Sequence, residues 1–314
     1  MNDSLKSNNL ISFVIPVYRN QGSLQLTYEG ITSIFSTELK KFQYEFIFVD
    51  DGSDDGSLNE LLQLRKTDER VKILSFSRNF GQVAAVIAGF KEAHGDWVVT
   101  LSADLQDSPE LLVEMAASWQ AGNDIVVCYR QEREDSFVAR ATSKIFYGLI
   151  ARSLPNMPTG GFDYVGVSRA AVNELNKLDE RNRFFQGDLL WLGYRTAFLP
   201  YKRKVRTIGK SQWNLKKKLK YFIDGLLNTS YLPIRYMSLL GIVTALLGFL
   251  YTIIIIVGYF FQATPFPGWA PIMVVLLMIG GMIMFMLGII GEYIWRIYDE
   301  ARHRAIYIVK ERFF

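Results

Sequence analysis

Four polar clusters stand in the first third of the chain, and each follows a short apolar run. They are Pro16-Val-Tyr18-Arg-Asn20, Asp50-Asp51-Gly52-Ser53, Arg78-Asn79-Phe80-Gly81-Gln82 and Ser102-Ala-Asp104-Leu-Gln106-Asp107. One such cluster is ordinary turn chemistry, because Asp, Asn, Ser and Gly are the usual turn residues. Four of them after successive apolar runs indicate a single site that several loops build together.

The chemistry that these side chains offer is the binding of a nucleoside diphosphate through a divalent cation. The Asp104 carboxylate and the Gln106 amide oxygen can hold Mg²⁺ or Mn²⁺ and leave positions for phosphate oxygens. Asp50 and Asp51 can accept hydrogen bonds from a base or a ribose. Arg78 can offset phosphate charge.

The sequence argues against several other kinds of site. It has no Gly-x-x-x-x-Gly-Lys-Ser/Thr loop and no Gly-x-Gly-x-x-Gly after a strand, which excludes P-loop and dinucleotide-binding enzymes. The only histidines, His94 and His303, have no Cys or His neighbours, so a zinc site is not expected. The single cysteine, Cys128, cannot form an internal disulfide, which predicts a reducing compartment.

The apolar runs before the clusters are predicted to be strands buried on both faces, since they are apolar almost throughout. Strands near residues 10–15, 45–49, 71–76, 97–101 and 125–128 alternate with helices near 22–40, 55–68, 81–94 and 108–121. This alternation predicts an α/β fold with a mostly parallel sheet and right-handed crossovers. Ligands of such sheets bind beyond the carboxyl ends of the strands, which is where the clusters stand.

A long uncharged segment follows this α/β pattern. From Tyr236 to Gly291 the chain has no Asp, Glu, Lys, Arg or His. A bilayer core takes about 20 apolar residues per helix, so we place two membrane spans near residues 237–261 and 269–291. Pro265, Pro267 and Gly268 form the turn between them. Neither span has a polar face, which favours the membrane over a soluble helix pair.

Basic residues flank the uncharged segment on both sides. Nine lie between Lys202 and Lys220 without an acid, five follow the second span, and the turn has none. The positive-inside rule therefore predicts a multi-pass protein of the cell membrane with both termini cytoplasmic, and the first residues show no signal peptide. We expect a cytosolic domain over residues 1–213, an amphipathic juxtamembrane segment over 214–233, the hairpin over 234–291 and a cytosolic tail over 292–314.

The juxtamembrane segment has the pattern of a helix that lies in the membrane interface. Its apolar residues share one helical face, and its lysines occupy the others. Such a helix buries its apolar side in lipid and directs its lysines toward headgroups.

Several motifs resemble those of family 2 glycosyltransferases of the GT-A fold. They are Pro16-Val-Tyr18, residues 49–55, Arg78-Asn79-Phe80-Gly81 and residues 103–110. Residues 159–164 and 206–213, with the two-helix anchor, are similar to polyprenyl-phosphate glycosyltransferases, which include dolichol-phosphate mannose synthase and bactoprenol glucosyltransferases. The family often has the motif Asp-x-Asp-x-Gln at its metal site. Here Ser102 replaces the first Asp, which leaves Asp104 and Gln106 as ligands.

The resemblance implies inverting transfer of a hexose from a nucleotide sugar to a polyprenyl phosphate, with Mg²⁺ or Mn²⁺ as cofactor. We expect glucose from UDP-glucose, and mannose from GDP-mannose stays an alternative. Asp163 is the favoured base or acceptor-positioning residue, Asp188 is the second candidate, and Arg206 is expected to bind phosphate. The substrate-binding residues so implied are Pro16, Tyr18, Asn20, Asp50, Asp51, Ser53, Arg78, Gly81, Gln82, Lys210, Ser211 and Trp213.

Other classes of protein fit the sequence less well. A processive polysaccharide synthase usually carries Gln-x-x-Arg-Trp, whereas Gln186 is followed here by Gly187-Asp188-Leu189. A transporter is disfavoured because neither span has an ionisable residue. A non-catalytic membrane protein that binds nucleotide stays open. The expected partners are a nucleotide sugar, a polyprenyl phosphate and the lipid bilayer; a homo-oligomer is left open, and no nucleic acid is expected.

Overall fold

The computed structural model describes residues 9–104, 106–130, 161–202, 232–260 and 270–314, together with residues 148, 154, 156–158, 224, 225 and 227. The chain divides into two compact units. The larger unit comprises Met1–Thr229 and Ala305–Phe314, and the smaller one comprises Ser230–Arg304. The end of the chain thus returns to the unit in which the chain begins.

The larger unit is built on a sheet that has eight strands within the described residues. They are β1 (Leu10–Val17), β2 (Gln43–Asp50), β3 (Val71–Phe76), β4 (Trp97–Thr100), β5 (Ile125–Arg130), β6 (Tyr164–Ser168), β7 (Thr196–Tyr201) and β8 (Val309–Phe313). Their order across the sheet is β7-β5-β6-β4-β1-β2-β3-β8. The central strands β3, β2, β1 and β4 are mutually parallel, and β6 and β8 are antiparallel to their neighbours. The predicted α/β class is confirmed, and β6, β7 and β8 add to the five strands predicted.

Helices cover both faces of this sheet and give it a core on each face. They are α1 (Leu24–Thr37), α2 (Ser57–Thr67), α3 (Gln82–Glu92), α4 (Leu111–Gln120), α5 (Arg169–Leu175) and α6 (Phe185–Trp191). Phe13 and Ile15 of β1 belong to the core with α1, α2 and α4, whereas Val14 between them belongs to the core with α3, α5 and α6. Successive side chains of a strand point to opposite faces. A strand that is covered on both faces therefore has a continuous run of apolar residues in its sequence.

Strand β8 was not expected, because the sequence analysis treated residues 292–314 as a tail. It pairs with β3 at the edge of the sheet, where Ser77 donates its N–H to the Ile308 carbonyl at 3.0 Å. Tyr307 stacks on Phe76 with ring centroids 5.1 Å apart, and Arg312 forms an ion pair with Glu92. Its five residues are three consecutive charged residues between Val309 and Phe313, which is a weak sequence signal for a strand. The strand covers an edge that would otherwise be open.

The smaller unit consists of two long helices, α7 (Leu232–Phe260) and α8 (Ala270–Ala301). Pro233–Tyr251 in α7 and Met278–Ala301 in α8 are long and apolar enough to cross a membrane, and almost none of either segment is buried. The helix α8 continues ten residues beyond the predicted end of the second span at residue 291. The turn between the helices and most of the predicted juxtamembrane helix lie outside the described residues.

Candidate active site

The loops that carry the four polar clusters meet at one edge of the sheet. The register pairs Val17 at the end of β1 with Asp50 at the end of β2, and Asp50 with Ser75 near the end of β3. Strand β4 is parallel to β1 and ends at the same side. Pro16 lies in β1 one residue before its end, so the first cluster begins inside the strand.

Asp50 closes β2 as a buried carboxylate. Its Oδ1 accepts the backbone N–H of Ser53 at 3.1 Å, and its Oδ2 accepts the Ser75 hydroxyl at 3.2 Å. Burial raises the pKa of Asp50 above its ordinary value, although the bonds from Ser53 and Ser75 oppose this shift. The carboxylate is therefore fixed in orientation between the loop after β2 and the end of β3.

Asp51 organises the loop after β3. Its Oδ1 accepts the backbone N–H of Phe80 at 2.6 Å, and its Oδ2 accepts that of Gly81 at 2.9 Å. Gly52 has φ +66°, and a Cβ there would lie 2.5 Å from the carbonyl carbon of Arg78. The two loops therefore touch along their backbones, and only glycine fits between them. Whether Asp51 also receives a base or ribose stays a prediction.

The loop after β1 is held to the loop after β2 by several hydrogen bonds. Arg19 donates its N–H to Ser53 Oγ at 3.1 Å, and within the first loop Tyr18 donates its N–H to Asn20 Oδ1 at 2.9 Å. The Arg19 guanidinium forms an ion pair with Asp54 through contacts of 2.6 and 2.5 Å. The predicted donor-binding residues Tyr18, Asn20 and Ser53 are thus neighbours in one network.

The loop after β3 presents a cation beside the start of α3. The Arg78 guanidinium lies over the Phe80 ring at 4.2 Å from its centroid and is exposed. Gly81 has φ +104°, and nothing lies within 4 Å of where its Cβ would stand. Gln82 is the first residue of α3. The positive end of a helix dipole and an exposed guanidinium therefore stand together, as a phosphate group would need.

The loop between β4 and α4 carries the predicted metal ligands. The Asp104 residue is only 4% exposed, and its Oδ1 accepts the backbone N–H of Gln106 at 3.2 Å. The side chain of Ser102 donates to Asp107 Oδ2, which also accepts the Ser102 backbone N–H at 3.0 Å. Ser102 therefore serves as a donor to a neighbouring acid at the position where the family often carries an acid.

These residues fit a divalent cation that the substrate helps to hold. In the part of the chain that the structure describes, no group of three or more His, Cys, Asp or Glu side chains could hold a metal ion. Asp104 and Gln106 would supply two oxygen ligands, and phosphate oxygens and water would supply the others. Mg²⁺ is commonly bound in this way, through one or two carboxylates and substrate phosphates.

The two predicted catalytic acids have different surroundings. The side chain of Asp163 is 41% exposed and precedes β6, with Arg130 Nη2 at 3.4 Å from its Oδ2. Because β6 is antiparallel to β4, Asp163 lies at the same edge as the four clusters. Asp188 lies in α6 and pairs with Arg183, whose Nε is 2.7 Å from Asp188 Oδ2. Burial raises the pKa of Asp188, although the charge of Arg183 opposes the shift.

Residues of α6 also contact the segment that carries Asp163. Gln186 donates from Nε2 to the Phe162 carbonyl at 2.5 Å. The sequence analysis did not single out Arg130 or Arg183, and neither belongs to a polar cluster. Arg130 is the last residue of β5, so its place at a strand end was the available signal.

The predicted acceptor residues lie outside the described residues; they are Arg206, Lys210, Ser211 and Trp213. Strand β7, which precedes them, is parallel to β5 and ends at Tyr201, whose hydroxyl donates to Asp107 Oδ1 at 2.7 Å. The chain therefore enters the basic segment from the edge of the sheet where the clusters lie.

Comparison with known sequences identifies the family. Residues 12–209, more than half of the chain, match the sequence model of Glycosyl transferase family 2. The chain belongs to this family. A second match covers residues 232–297 of the glycosyltransferase and is described as the GtrB C-terminal hairpin. The expected family and enzyme class are thereby confirmed.

The similarity to individual members of the family extends over almost the whole glycosyltransferase. It is 36% identical to an uncharacterized glycosyltransferase of Bacillus subtilis, over 96% of this chain and 94% of the relative. It is 34% identical to the bactoprenol glucosyl transferase of Shigella phage SfV, over 96% of this chain and 98% of the relative. A prophage bactoprenol glucosyl transferase homolog of Escherichia coli is 33% identical, with the same coverage of both chains.

Proposed function

We propose that this glycosyltransferase transfers glucose from UDP-glucose to the phosphate of a polyprenyl carrier, with inversion at the anomeric carbon. The observation that carries the proposal is similarity over nearly the full chain, hairpin included, to proteins named bactoprenol glucosyl transferase. Such a carrier is embedded in the bilayer, which agrees with a chain that joins a nucleotide-sugar site to two apolar helices.

The donor would bind at the edge of the sheet where the four clusters meet. Asp50 and Asp51 suit the base and ribose, and Arg78 beside the start of α3 suits the diphosphate. Asp104 and Gln106 would hold Mg²⁺ or Mn²⁺. When bound, this cation would neutralise charge that develops on the departing diphosphate.

The acceptor needs orientation more than it needs a strong base. A phosphate monoester has a second pKa of about 6, so it is largely a dianion at neutral pH and already nucleophilic. Asp163 is open to solvent at the site edge, which suits a residue that positions the acceptor or takes a proton. Arg206 would clamp the acceptor phosphate, since a guanidinium can bind two phosphate oxygens at once. Asp188 would support the site through its buried pair with Arg183.

The course of the chain supports a membrane hairpin with both ends on one side. Strand β8, which follows α8, pairs with β3, which precedes α7, so the chain leaves the larger unit and returns to it. Two crossings between these points satisfy that requirement, and one crossing does not. The basic flanks on both sides of the hairpin favour the cytoplasm for that side, by the positive-inside rule.

The proposal is tested by supplying purified protein with polyprenyl phosphate and either UDP-glucose or GDP-mannose, each labelled in the sugar. We expect label in the extracted lipid with UDP-glucose, and loss of that label in Asp104→Asn. Asp124→Asn is a matched control, because Asp124 precedes β5 at the opposite edge, where its carboxylate accepts the Ser168 hydroxyl at 3.1 Å. Labelled lipid from GDP-mannose alone would show that the donor is GDP-mannose and not UDP-glucose. The absence of labelled lipid with either donor would refute the proposal.

A further inference from the structure

The loop that carries Asp104 and Gln106 is closed on itself by Asp107. One carboxylate oxygen of Asp107 accepts both the backbone N–H and the hydroxyl of Ser102. The two residues bracket the loop, so this contact fixes its two ends against each other. Asp107 is only 1% exposed, and its contacts are therefore shielded from competing water.

Two other parts of the larger unit hold the same loop. The Ala103 carbonyl accepts the Ser23 hydroxyl at 2.7 Å and the Thr27 hydroxyl at 3.2 Å, and both donors are buried in α1 or at its start. On the other side, the second oxygen of Asp107 accepts the Tyr201 hydroxyl at 2.7 Å. Tyr201 is also buried and lies 94 residues away in sequence.

Tyr201 joins this loop to a distant strand. It is the last residue of β7, at the edge of the sheet where the polar clusters lie. Its bond to Asp107 therefore ties the loop that carries Asp104 and Gln106 to the carboxyl end of β7. Hydrogen bonds to a charged group are short and about twice as strong as neutral ones.

We propose that Tyr201 and Asp107 are positioning residues that hold the loop of Asp104 and Gln106 in the orientation needed to bind the cation. The inference rests on the proposed function, because it requires the cation at Asp104 and Gln106. Without the Tyr201 hydroxyl, Asp107 Oδ1 loses a buried hydrogen-bond donor, and the end of the loop that Asp107 joins to Ser102 is held less firmly to β7. Groups that orient metal ligands change metal affinity by about 10- to 100-fold when they are removed.

The chain offers a matched control for this bond. Tyr28 donates its hydroxyl to Asp68 Oδ2, also at 2.7 Å, and joins α1 to the turn before β3. It belongs to the same unit, and neither residue lies in the polar clusters. Tyr28→Phe removes a tyrosine-carboxylate bond of the same length and so reports the general effect of such a loss.

The experiment measures Mn²⁺ binding to the full chain in detergent in the presence of UDP, with free Mn²⁺ followed by electron paramagnetic resonance. We expect Tyr201→Phe to raise the Kd for Mn²⁺ about tenfold, and Tyr28→Phe to change it less than about twofold. Ser102→Ala, which acts on the loop alone, should raise the same Kd.

The outcomes separate this inference from the proposed function. Wild-type protein that binds no Mn²⁺ beside UDP would contradict the proposed metal site, and the inference with it. Wild-type binding that Tyr201→Phe and Ser102→Ala leave unchanged would overturn the inference alone. Equal losses in Tyr201→Phe and Tyr28→Phe, with equal loss of Tm, would show a general effect on stability and would also overturn it.

Discussion

Asp188→Asn tests whether Asp188 acts by holding Arg183 or by taking part in the reaction. The Arg183 side chain is 1% exposed, that of Asp188 is 13% exposed, and Nε lies 2.7 Å from Oδ2. The substitution keeps the size of the side chain but removes its charge. The Arg183 guanidinium then remains buried, and the Asn side chain that faces it carries no negative charge.

The size of the effect follows from that burial. Removing one partner of a buried ion pair costs about 3–5 kcal/mol, and we expect the lower end because the Asn oxygen can still accept from Nε. For a unit of this size each kcal/mol lowers Tm by about 2–4 °C. Asp188→Asn should therefore lower Tm by roughly 6 to 12 °C, and the activity of the protein that remains folded should change little.

The assay pairs thermal unfolding in detergent with initial rates measured well below the Tm of every variant. Asp163→Asn is the contrasting variant, because its partly exposed pair with Arg130 contributes about 0–1 kcal/mol. It should keep its Tm and lose about 100-fold in kcat, as expected for a group that handles a proton or positions the acceptor. Replacing Arg183 and Asp188 together by Met and Leu should recover much of the lost stability.

One result would refute this reasoning. If Asp188→Asn keeps the wild-type Tm and loses as much kcat as Asp163→Asn, then Asp188 takes part in the reaction directly. Glu45→Gln is the control for loss of an ion pair away from the site, because Lys72 Nζ contacts Glu45 Oε2 at 2.7 Å near the other edge of the sheet. It should lower Tm without a change in kcat.

Three further predictions concern the cation, the Glu45 ion pair and Arg206. Excess chelator should abolish transfer, and added Mn²⁺ should restore it in wild-type protein but not in Asp104→Asn; full turnover in chelator would exclude a required cation. Burial acts to raise the pKa of Glu45, but bonds from Lys72 and Ser12 outweigh it and lower the pKa below its ordinary value of 4.5. Glu45 thus stabilises the fold above pH 4.5, and this stabilisation is lost as the pH falls through the folded-state pKa. The Tm of Glu45→Gln should therefore fall less steeply in acid than that of the wild type; parallel curves of Tm against pH would contradict this. Arg206→Ala should lower kcat/KM at least tenfold, which is about 1.4 kcal/mol, and a smaller loss in a detergent assay would remove Arg206 from the acceptor site.

Much of the site could be predicted because its loops follow strands with strong local signals. The strands β1 to β5 are apolar on both faces, and parallel neighbours place their carboxyl ends together whatever the details of packing. The predicted clusters at Asp50, Arg78 and Asp104 therefore came to one edge. The contacts that their side chains make there could not be predicted, since the sequence does not show whether a carboxylate faces a backbone N–H or a ligand.

The residues themselves determined the alternation of strands and helices, the uncharged hairpin with its basic flanks, and the order of the polar clusters, because these depend on local composition and spacing. The tertiary structure decided which distant residues meet. Asp51 receives the backbone of Phe80 and Gly81, Asp107 receives Tyr201 from 94 residues away, and the last strand returns to β3. Such contacts join segments that have no local pattern in common, so only the packed sheet brings them together.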